Sequence, residues 1–167
     1  MMMVDLVFVL RLLHLLAGLG WVGEVLTVNF VLLPTLRRVD PQTRAQLLIL
    51  AFPLVFQLAT VLGGLAVLSG LGLFLLLAHG HPLLLVTTAW GHRILIGGFL
   101  GGGLYLFHLF QESRAEQSLA AEILTLREHD DPVRLAALFR HLEIFPRVGL
   151  GILLVAVGFM SAAARLP

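Results

Sequence analysis

Ionisable and aromatic side chains interrupt the first long apolar stretch of the sequence, between Arg11 and Glu24. At about 100° per residue, a helix places His14, Gly18 and Trp21 on one face. Arg11 then lies about 60° to one side of that face, and Glu24 lies about 80° to the other side. Ionisable residues inside an apolar span are costly and generally mark a site. We therefore predict that this face lines a functional site and is not in contact with lipid.

A second set of ionisable residues, His92, Arg93 and later His108, lies in a later apolar stretch. Counted from the outer ends of the first and third spans, His14 and His92 each lie about 10 residues, roughly 15 Å, from the same membrane face. Two neutral imidazoles at matched depth can bind the two faces of a haem b. This predicts His14 and His92 as the axial metal ligands. Arg11 and Arg93 are predicted to pair with the haem propionates.

The remaining candidate residues admit more than one role. Gly18 would let a flat macrocycle approach the helix backbone, and Trp21 would pack either on a cofactor or on a neighbouring helix. Glu24 is either a proton-handling carboxylate or the ion-pair partner of an arginine. His108 lies 16 residues after His92, about 160° around the helix, so the two face different directions. The sequence therefore predicts one haem or two, with Glu24 and His108 as proton-handling catalytic groups or as part of a second site.

Composition places the chain in the membrane class. Of its 167 residues, 59% are hydrophobic and 13% are charged, and the mean hydropathy is +0.98. Soluble domains are far less apolar. The net charge of +1 gives no basic footprint for nucleic acid, and the absence of cysteine excludes disulfides and thiolate metal sites. No small-residue cleavage site follows the first apolar run, so we expect a retained helix there.

Four apolar runs long enough to span a bilayer are present, at about residues 4–36, 45–78, 83–110 and 142–164. Between the third and fourth runs, residues 111–141 are rich in charge and read as an amphipathic helical segment at the membrane interface. Asp131 and Pro132 have the pattern of an N-cap and a first helical position. The expected fold is an all-α, integral membrane four-helix bundle, with residues 1–167 as one transmembrane domain.

Arginine distribution predicts the orientation of this bundle. The links after the first and third spans carry most of the arginines, whereas the link between the second and third spans has none. The positive-inside rule then places both arginine-bearing links, including the segment 111–141, in the cytoplasm. We expect a multi-pass protein of the cytoplasmic (inner) membrane with both termini on the outer side.

Short motifs along the chain resemble those of a known superfamily. The first span has a His-x6-Trp-x-Gly opening, and the last span is preceded by a Phe-Arg-x-x-Glu-x-x-Pro sequence. These motifs resemble the copper resistance D (CopD-like) family, the N-terminal membrane domain of bacterial urate oxidases and the HemJ-type protoporphyrinogen oxidases. The residues that carry the resemblance are Arg11, His14, Trp21, Gly23, Asn29, Phe30, Pro34, Trp90, Arg93, Ile94, Gly97, Tyr105, His108, Phe139, Arg140, Glu143 and Pro146.

The resemblance implies a four-helix membrane bundle that holds haem b through histidine and works in redox chemistry. We expect electron transfer, or oxidation of a small or lipid-soluble substrate, with porphyrinogen oxidation as the best-defined enzymatic form. The expected partners are the lipid bilayer, haem and either a redox partner protein or a quinone-like small molecule. The glycine-rich helix faces also admit a homodimer. The alternatives are a copper-ion transport or binding protein and a non-redox structural or assembly subunit.

Overall fold

The computed structural model describes residues 2–78, 83–128 and 132–164, with side chains described for 5–40, 42–78, 83–110 and 143–164. All regular structure in these ranges is helical. The expected all-α fold is therefore confirmed at the level of helices. The helices, in chain order, are α1 (Met2–Thr27), a π-helical turn (Val28–Leu32), α2 (Leu33–Arg38), α3 (Pro41–Leu77), α4 (Leu84–Thr87), α5 (Ala89–Glu128) and α6 (Pro132–Ala163).

Four stretches within these helices are long and apolar enough to cross a membrane. They are Asp5–Arg38, Gln42–Leu77, Ala89–Phe110 and Glu143–Ala163. Large apolar side chains on all four stretches are exposed, with Phe99 reaching 81%. A soluble protein rarely exposes a contiguous apolar surface of this kind, whereas a lipid-facing surface requires one. The predicted number of spans is confirmed.

The four long helices contact one another in a closed ring. The most extensive contacts join α1 to α3 and α5 to α6, and smaller contacts join α3 to α5 and α1 to α6. Helices α1 and α5 consequently lie diagonally across the bundle. Trp21 of α1 is buried near its centre, with Ala59 of α3, Leu153 of α6 and Tyr105 of α5 around it.

The first span is interrupted by the π-helical turn. Pro34 follows that turn. Proline has no N–H and its ring clashes with the carbonyl four residues earlier, which here belongs to Phe30. A widened turn relieves that clash, and the N–H of Leu33 bonds instead to the carbonyl of Val28, five residues back. The helix continues beyond this wider turn to Arg38.

The third span begins at Ala89 and not at about residue 83, as the sequence suggested. Thr88 has an extended backbone (φ −119°, ψ 150°) and separates α4 from α5. Its hydroxyl accepts a hydrogen bond from the backbone N–H of Gly91 (2.9 Å), which is an N-cap geometry. A Cβ at Gly91 would collide with the backbone of Leu84 and Leu85, so glycine allows α4 to fold against α5. Hydropathy does not register such a break.

Helix α3 begins after an N-cap residue, Asp40. The carboxylate of Asp40 accepts hydrogen bonds from the backbone N–H groups of Gln42 (3.0 Å) and Thr43 (3.1 Å). Helix α6 begins at Pro132, as predicted, whereas the predicted cap Asp131 and the turn at residues 79–82 lie outside the described residues. Helix α5 continues to Glu128, so residues 111–128 are helical as expected.

Candidate functional site

His14 is anchored to the neighbouring helix α3. Its Nδ1 lies 2.8 Å from the backbone carbonyl oxygen of Ala66. The ring also lies over Gly70, where an added Cβ would be only 2.9 Å from Cε1 and 3.1 Å from Nδ1 of the imidazole. Ser69, which is 3% exposed, donates to the Leu65 carbonyl (2.5 Å), and its hydroxyl oxygen also lies 3.2 Å from the Ala66 carbonyl oxygen. The ring of His14 therefore fits a space that exists because residue 70 has no side chain.

This hydrogen bond fixes which nitrogen of His14 carries the proton. A carbonyl oxygen can only accept, so Nδ1 is the donor, and the neutral ring then carries its lone pair on Nε2. Nε2 has no hydrogen-bond partner among the described residues. Metal-binding histidines commonly donate one ring N–H to a carbonyl and bind the metal through the other nitrogen. His14 has that arrangement.

Trp21 and Tyr105 meet edge to face next to a pair of glycines on α3. Their ring centroids are 6.3 Å apart with an interplanar angle of 87°. A Cβ at Gly63 would be 2.8 Å from Cδ2 of Tyr105 and 3.3 Å from Cε2 of Trp21, and one at Gly64 would be 2.8 Å from the Tyr105 hydroxyl oxygen. Trp21 was predicted to pack on a cofactor or a helix, and in this structure its neighbours are helices.

His108 contacts α3 on the far side of the Trp21–Tyr105 pair. Its Nε2 lies 2.9 Å from Oγ1 of Thr60, and the Thr60 hydroxyl donates to the carbonyl oxygen of Phe56 (3.0 Å). The proton of the Thr60 hydroxyl is used in this bond to Phe56. Nε2 of His108 is therefore the donor in its bond to the Thr60 oxygen. His14 and His108 thus contact the same helix at positions 6 to 10 residues apart, about 9–15 Å along its axis.

His92 and Arg93 are held by the protein in ways that the sequence did not suggest. His92 is exposed, and its Nε2 lies 3.0 Å from the carbonyl oxygen of Val86. Arg93 donates from Nη1 to the carbonyl oxygen of Ala162 (2.9 Å), in the last turn of α6. The structure does not bring His92 against His14, because the two rings bond to different helices. Their joint ligation of a metal stays a prediction that needs His92 to leave Val86.

Of the remaining predicted residues, Arg11 is exposed and makes no hydrogen bond or ion pair with any described residue. A Cβ at Gly18, one turn from His14, would meet no atom within 4 Å. Glu24 has a buried carboxylate oxygen, Oε2, without a hydrogen-bond donor among the described residues, and so does the amide oxygen Oδ1 of Asn29. The predicted ion pair of Glu24 with an arginine does not occur among the described residues.

Asn29 links the first and last spans. Its Nδ2 donates to the carbonyl oxygens of Val25 (2.8 Å) and Pro146 (3.0 Å). Asn29 is 9% exposed and lies in the π-helical turn. Wide turns of this kind are frequent at functional sites. The unpaired Oδ1 in this turn is a second polar atom, besides Glu24 Oε2, that could hold a water or a proton donor.

A charged cluster joins the same two spans near their ends. Arg37 of α2 binds both carboxylate oxygens of Glu143 on α6, with Nε at 2.6 Å from Oε1 and Nη2 on Oε2. Arg147 lies one turn further along α6, and its Nη2 is 3.6 Å from Oε2. Glu143 is buried, whereas the side chains of Arg37 and Arg147 are about half exposed.

The described residues contain no group of three or more His, Asp or Glu side chains that could hold a metal ion. A protein-bound haem needs only one or two axial ligands, because the macrocycle supplies the other four.

The sequence reasoning missed the residues of α3 that shape the site. Gly63 and Gly70 are seven residues apart and so share a face of the helix. That spacing is a readable signal for close approach, but it does not say that His14 and the Trp21–Tyr105 pair occupy the two spaces. Ala66 carries no sequence signal at all, since its contribution is a backbone carbonyl.

Comparison of this chain with protein-family models, with curated proteins and with solved structures found no match.

Proposed function

We propose that this protein is a membrane b-type haem protein in which His14 is an axial ligand through Nε2. The observation that carries the proposal is the bond from His14 Nδ1–H to the Ala66 carbonyl, which leaves the Nε2 lone pair available. The open space beside Gly18, one turn away, supports the fit of a flat macrocycle. When bound, the haem would supply one-electron redox chemistry. The resemblance of the first span to haem-binding membrane families points in the same direction.

The second ligand is proposed from rotamer freedom. His92 lies three residues into the third span, about 5 Å from its end, whereas His14 lies nine residues into the first span, about 14 Å. The matched depth expected from the sequence is therefore absent, and His92 would have to release the Val86 carbonyl and turn inward to reach a shared metal. His108 is bonded to the Thr60 hydroxyl and lies 5.8 Å from the Phe56 ring, between centroids. We therefore assign the second ligand to His92, whose ring is exposed. Arg11, which has no partner among the described residues, is the propionate cation at the membrane face, whereas Arg93 must first release Ala162.

The inner part of the bundle would handle protons. His108 would take up and release a proton as an imidazole held in place by Thr60, and Glu24 offers a carboxylate oxygen to which no described residue donates. Trp21 and Tyr105 lie between His14 and His108 along α3 and exclude lipid and water from that interval. These roles fit electron transfer, or oxidation of a small or lipid-soluble substrate such as a porphyrinogen. The electron partner would be a redox protein or a quinone-like molecule.

The proposal includes the orientation of the four spans in the membrane. Arginines of the links after the first and third spans support a cytoplasmic position for both links and an outer position for both termini. His14 and His92 would then lie in the outer half of an inner-membrane protein, and residues 111–141 would lie at the cytoplasmic interface.

A structural or assembly role is the second candidate. It is favoured by the commitments of His92, Arg93 and His108 to Val86, Ala162 and Thr60, because each bond also holds two helical segments together. In that case, His14→Ala lowers stability and no cofactor is lost. Copper binding is the third candidate and would use the same Nε2 of His14.

The test is an absorbance spectrum of the detergent-purified protein, oxidised and dithionite-reduced, with pyridine haemochrome quantitation. We expect a Soret band and sharp reduced α and β bands, lost in His14→Ala and weakened or shifted in His92→Ala. Leu15→Ala is the matched control, because Leu15 lies on the same helix with a 60% exposed side chain. A colourless protein from haem-replete cells, or a His14→Ala variant with unchanged haem content, would overturn the proposal. Copper titration of a colourless protein then separates the other two candidates.

A further inference from the structure

The arginines at the inner end of the first and fourth spans differ in how many of their guanidinium N–H groups have acceptors in the protein. Arg37 donates two hydrogen bonds to Glu143 and so uses both carboxylate oxygens. Arg44 donates to the backbone carbonyls of Leu36 (2.6 Å) and Val39 (3.3 Å). Arg147 has only a 3.6 Å ion pair with Glu143, which is beyond hydrogen-bond distance. Its five N–H donors have no acceptor among the described residues.

The charges at this junction do not cancel. Arg37 and Arg147 converge on the single carboxylate of Glu143, so these three side chains carry a net charge of one positive unit. Glu143 is 7% exposed, whereas both guanidinium groups are about half exposed. The negative charge is therefore covered and the positive charges face outward. An outward-facing guanidinium with unused donors is a binding group for an oxyanion.

The position of the junction selects the kind of oxyanion. The first span ends at Arg38, and the second and fourth begin at Gln42 and Glu143. These are the points at which spans leave the hydrocarbon and meet the layer of lipid phosphates. Arginine is favoured there because its fork binds phosphate oxygens in pairs while its stem lies along apolar chain.

We propose that Arg147 and Arg37 form a binding site for the phosphate of an anionic phospholipid headgroup, between α2 and the beginning of the fourth span within α6. Glu143 aligns the two guanidinium groups and lowers the net charge of the site. A lipid with a net negative headgroup is then retained more strongly than a zwitterionic one, because the latter brings its own cation next to the arginines. The site does not depend on haem.

Native mass spectrometry of the full-length protein in detergent, with equal amounts of phosphatidylglycerol and phosphatidylcholine, tests the proposal. We expect selective retention of phosphatidylglycerol, reduced about fivefold in Arg147→Gln and less in Arg147→Lys. Arg11→Gln is the matched control, because Arg11 is an exposed arginine in the same first span as Arg37, but near its opposite end. It should leave the retention unchanged.

Two further comparisons decide whether the bound anion is a lipid and whether Arg147 binds it. Displacement of phosphatidylglycerol by millimolar inorganic phosphate would assign the site to a soluble anion and overturn the lipid proposal. Equal retention by wild type and Arg147→Gln would overturn the assignment of Arg147, and so would an equal loss in Arg11→Gln. Arg147 donates no hydrogen bond to a described residue, so we expect Arg147→Gln to fold. Arg147→Lys keeps the positive charge, and its phosphatidylglycerol retention tests the same assignment with a second variant.

Discussion

The Nδ1 atom of His14 on α1 and the backbone carbonyl oxygen of Ala66 on α3 lie 2.8 Å apart and form a hydrogen bond between the two helices. Because the carbonyl can only accept, the bond selects the tautomer with the proton on Nδ1. We expect the ¹⁵N chemical shifts of His14, measured in the protein without haem, to show a protonated Nδ1 and an unprotonated Nε2. The opposite tautomer, or an averaged pair of shifts, would contradict this arrangement whether or not the protein binds haem.

Gly70→Ala should displace the His14 ring. The added Cβ would lie 2.9 Å from Cε1 of the imidazole, and the ring is held against the same helix by its bond to Ala66. Overpacking of this kind costs about 1–3 kcal/mol, or the ring moves and the hydrogen bond is lost. We expect the His14 ¹⁵N shifts to change and the haem content to fall.

Gly72→Ala is the matched control for this substitution. Its Cβ would meet Cδ1 of Leu10 at 3.3 Å, the far end of a flexible side chain that can rotate away. The control should leave the His14 shifts and the haem content as in wild type. If Gly70→Ala behaves like Gly72→Ala in a wild type that binds haem, then Gly70 does not position His14, although the haem proposal stands.

The parts of this architecture that depend on hydropathy were predictable. Four spans follow from apolar runs, because the bilayer sets one length and one polarity for every span. The start of the third span was misplaced, because the break at Thr88 depends on a hydroxyl cap and on backbone packing at Gly91. Neither changes the mean hydropathy of the stretch.

The partners of the polar residues were less predictable than their positions. His14 was identified from its place in an apolar span, but its bond to Ala66 joins residues 52 positions apart. Arg93 was expected to pair with a propionate, and the structure gives it a backbone carbonyl 69 residues away. Carbonyl oxygens at such distances have no signature in side-chain types. The sequence therefore indicated where the polar residues lie in the spans and not which groups they bind.

Arg37→Gln should destabilise the bundle more than Arg147→Gln, although both arginines pair with Glu143. Arg37 donates two hydrogen bonds to the carboxylate, whereas the nearest atom of Arg147 is 3.6 Å away. Removing Arg37 leaves a buried carboxylate without its main donor, which is the costly case. Thermal unfolding in one detergent measures the ranking. Equal losses of stability for the two variants would mean that the bonds from Arg37 to Glu143 contribute no more to stability than the longer ion pair of Arg147.

The cap of α3 should make a pH-dependent contribution to stability. Hydrogen bonds from Thr43 lower the pKa of Asp40, and the bond from its side chain has a larger effect than the bond from its backbone N–H. The backbone N–H of Gln42 lowers the pKa further. The carboxyl therefore has a lower pKa in the folded state than in the unfolded state. Its stabilisation is present above the unfolded pKa of about 3.9 and is lost as the pH falls through the folded value.

Asp40→Asn isolates this contribution. An asparagine oxygen can accept the same N–H bonds but does not titrate in the acid range. We expect the variant to lose part of the stabilisation near neutral pH and to show a flatter decline of the unfolding temperature in acid than wild type does. Parallel declines for the two proteins would show that Asp40 does not contribute to acid sensitivity.

Gly63 and Gly64 should respond differently to the same change in Tyr105. A Cβ at Gly64 would approach the Tyr105 hydroxyl oxygen at 2.8 Å, with the next atom, Cζ, at 3.4 Å. A Cβ at Gly63 would instead approach the ring carbons Cδ2 at 2.8 Å and Cε2 at 3.2 Å. Tyr105→Phe removes the hydroxyl and keeps the ring, so it relieves the first clash and leaves the second.

We therefore expect Gly64→Ala and Gly63→Ala each to destabilise the bundle, by about 1–3 kcal/mol. In a Tyr105→Phe background, the cost of Gly64→Ala should fall to near zero, while that of Gly63→Ala should persist. Thermal unfolding of wild type, the three single variants and the two double variants supplies both cycles. Rescue of both glycine substitutions, or of neither, would mean that the ring does not lie against Gly63 and Gly64 as described. Rescue of Gly64→Ala alone would support the placement of Tyr105 against α3, between the contacts of His14 and His108.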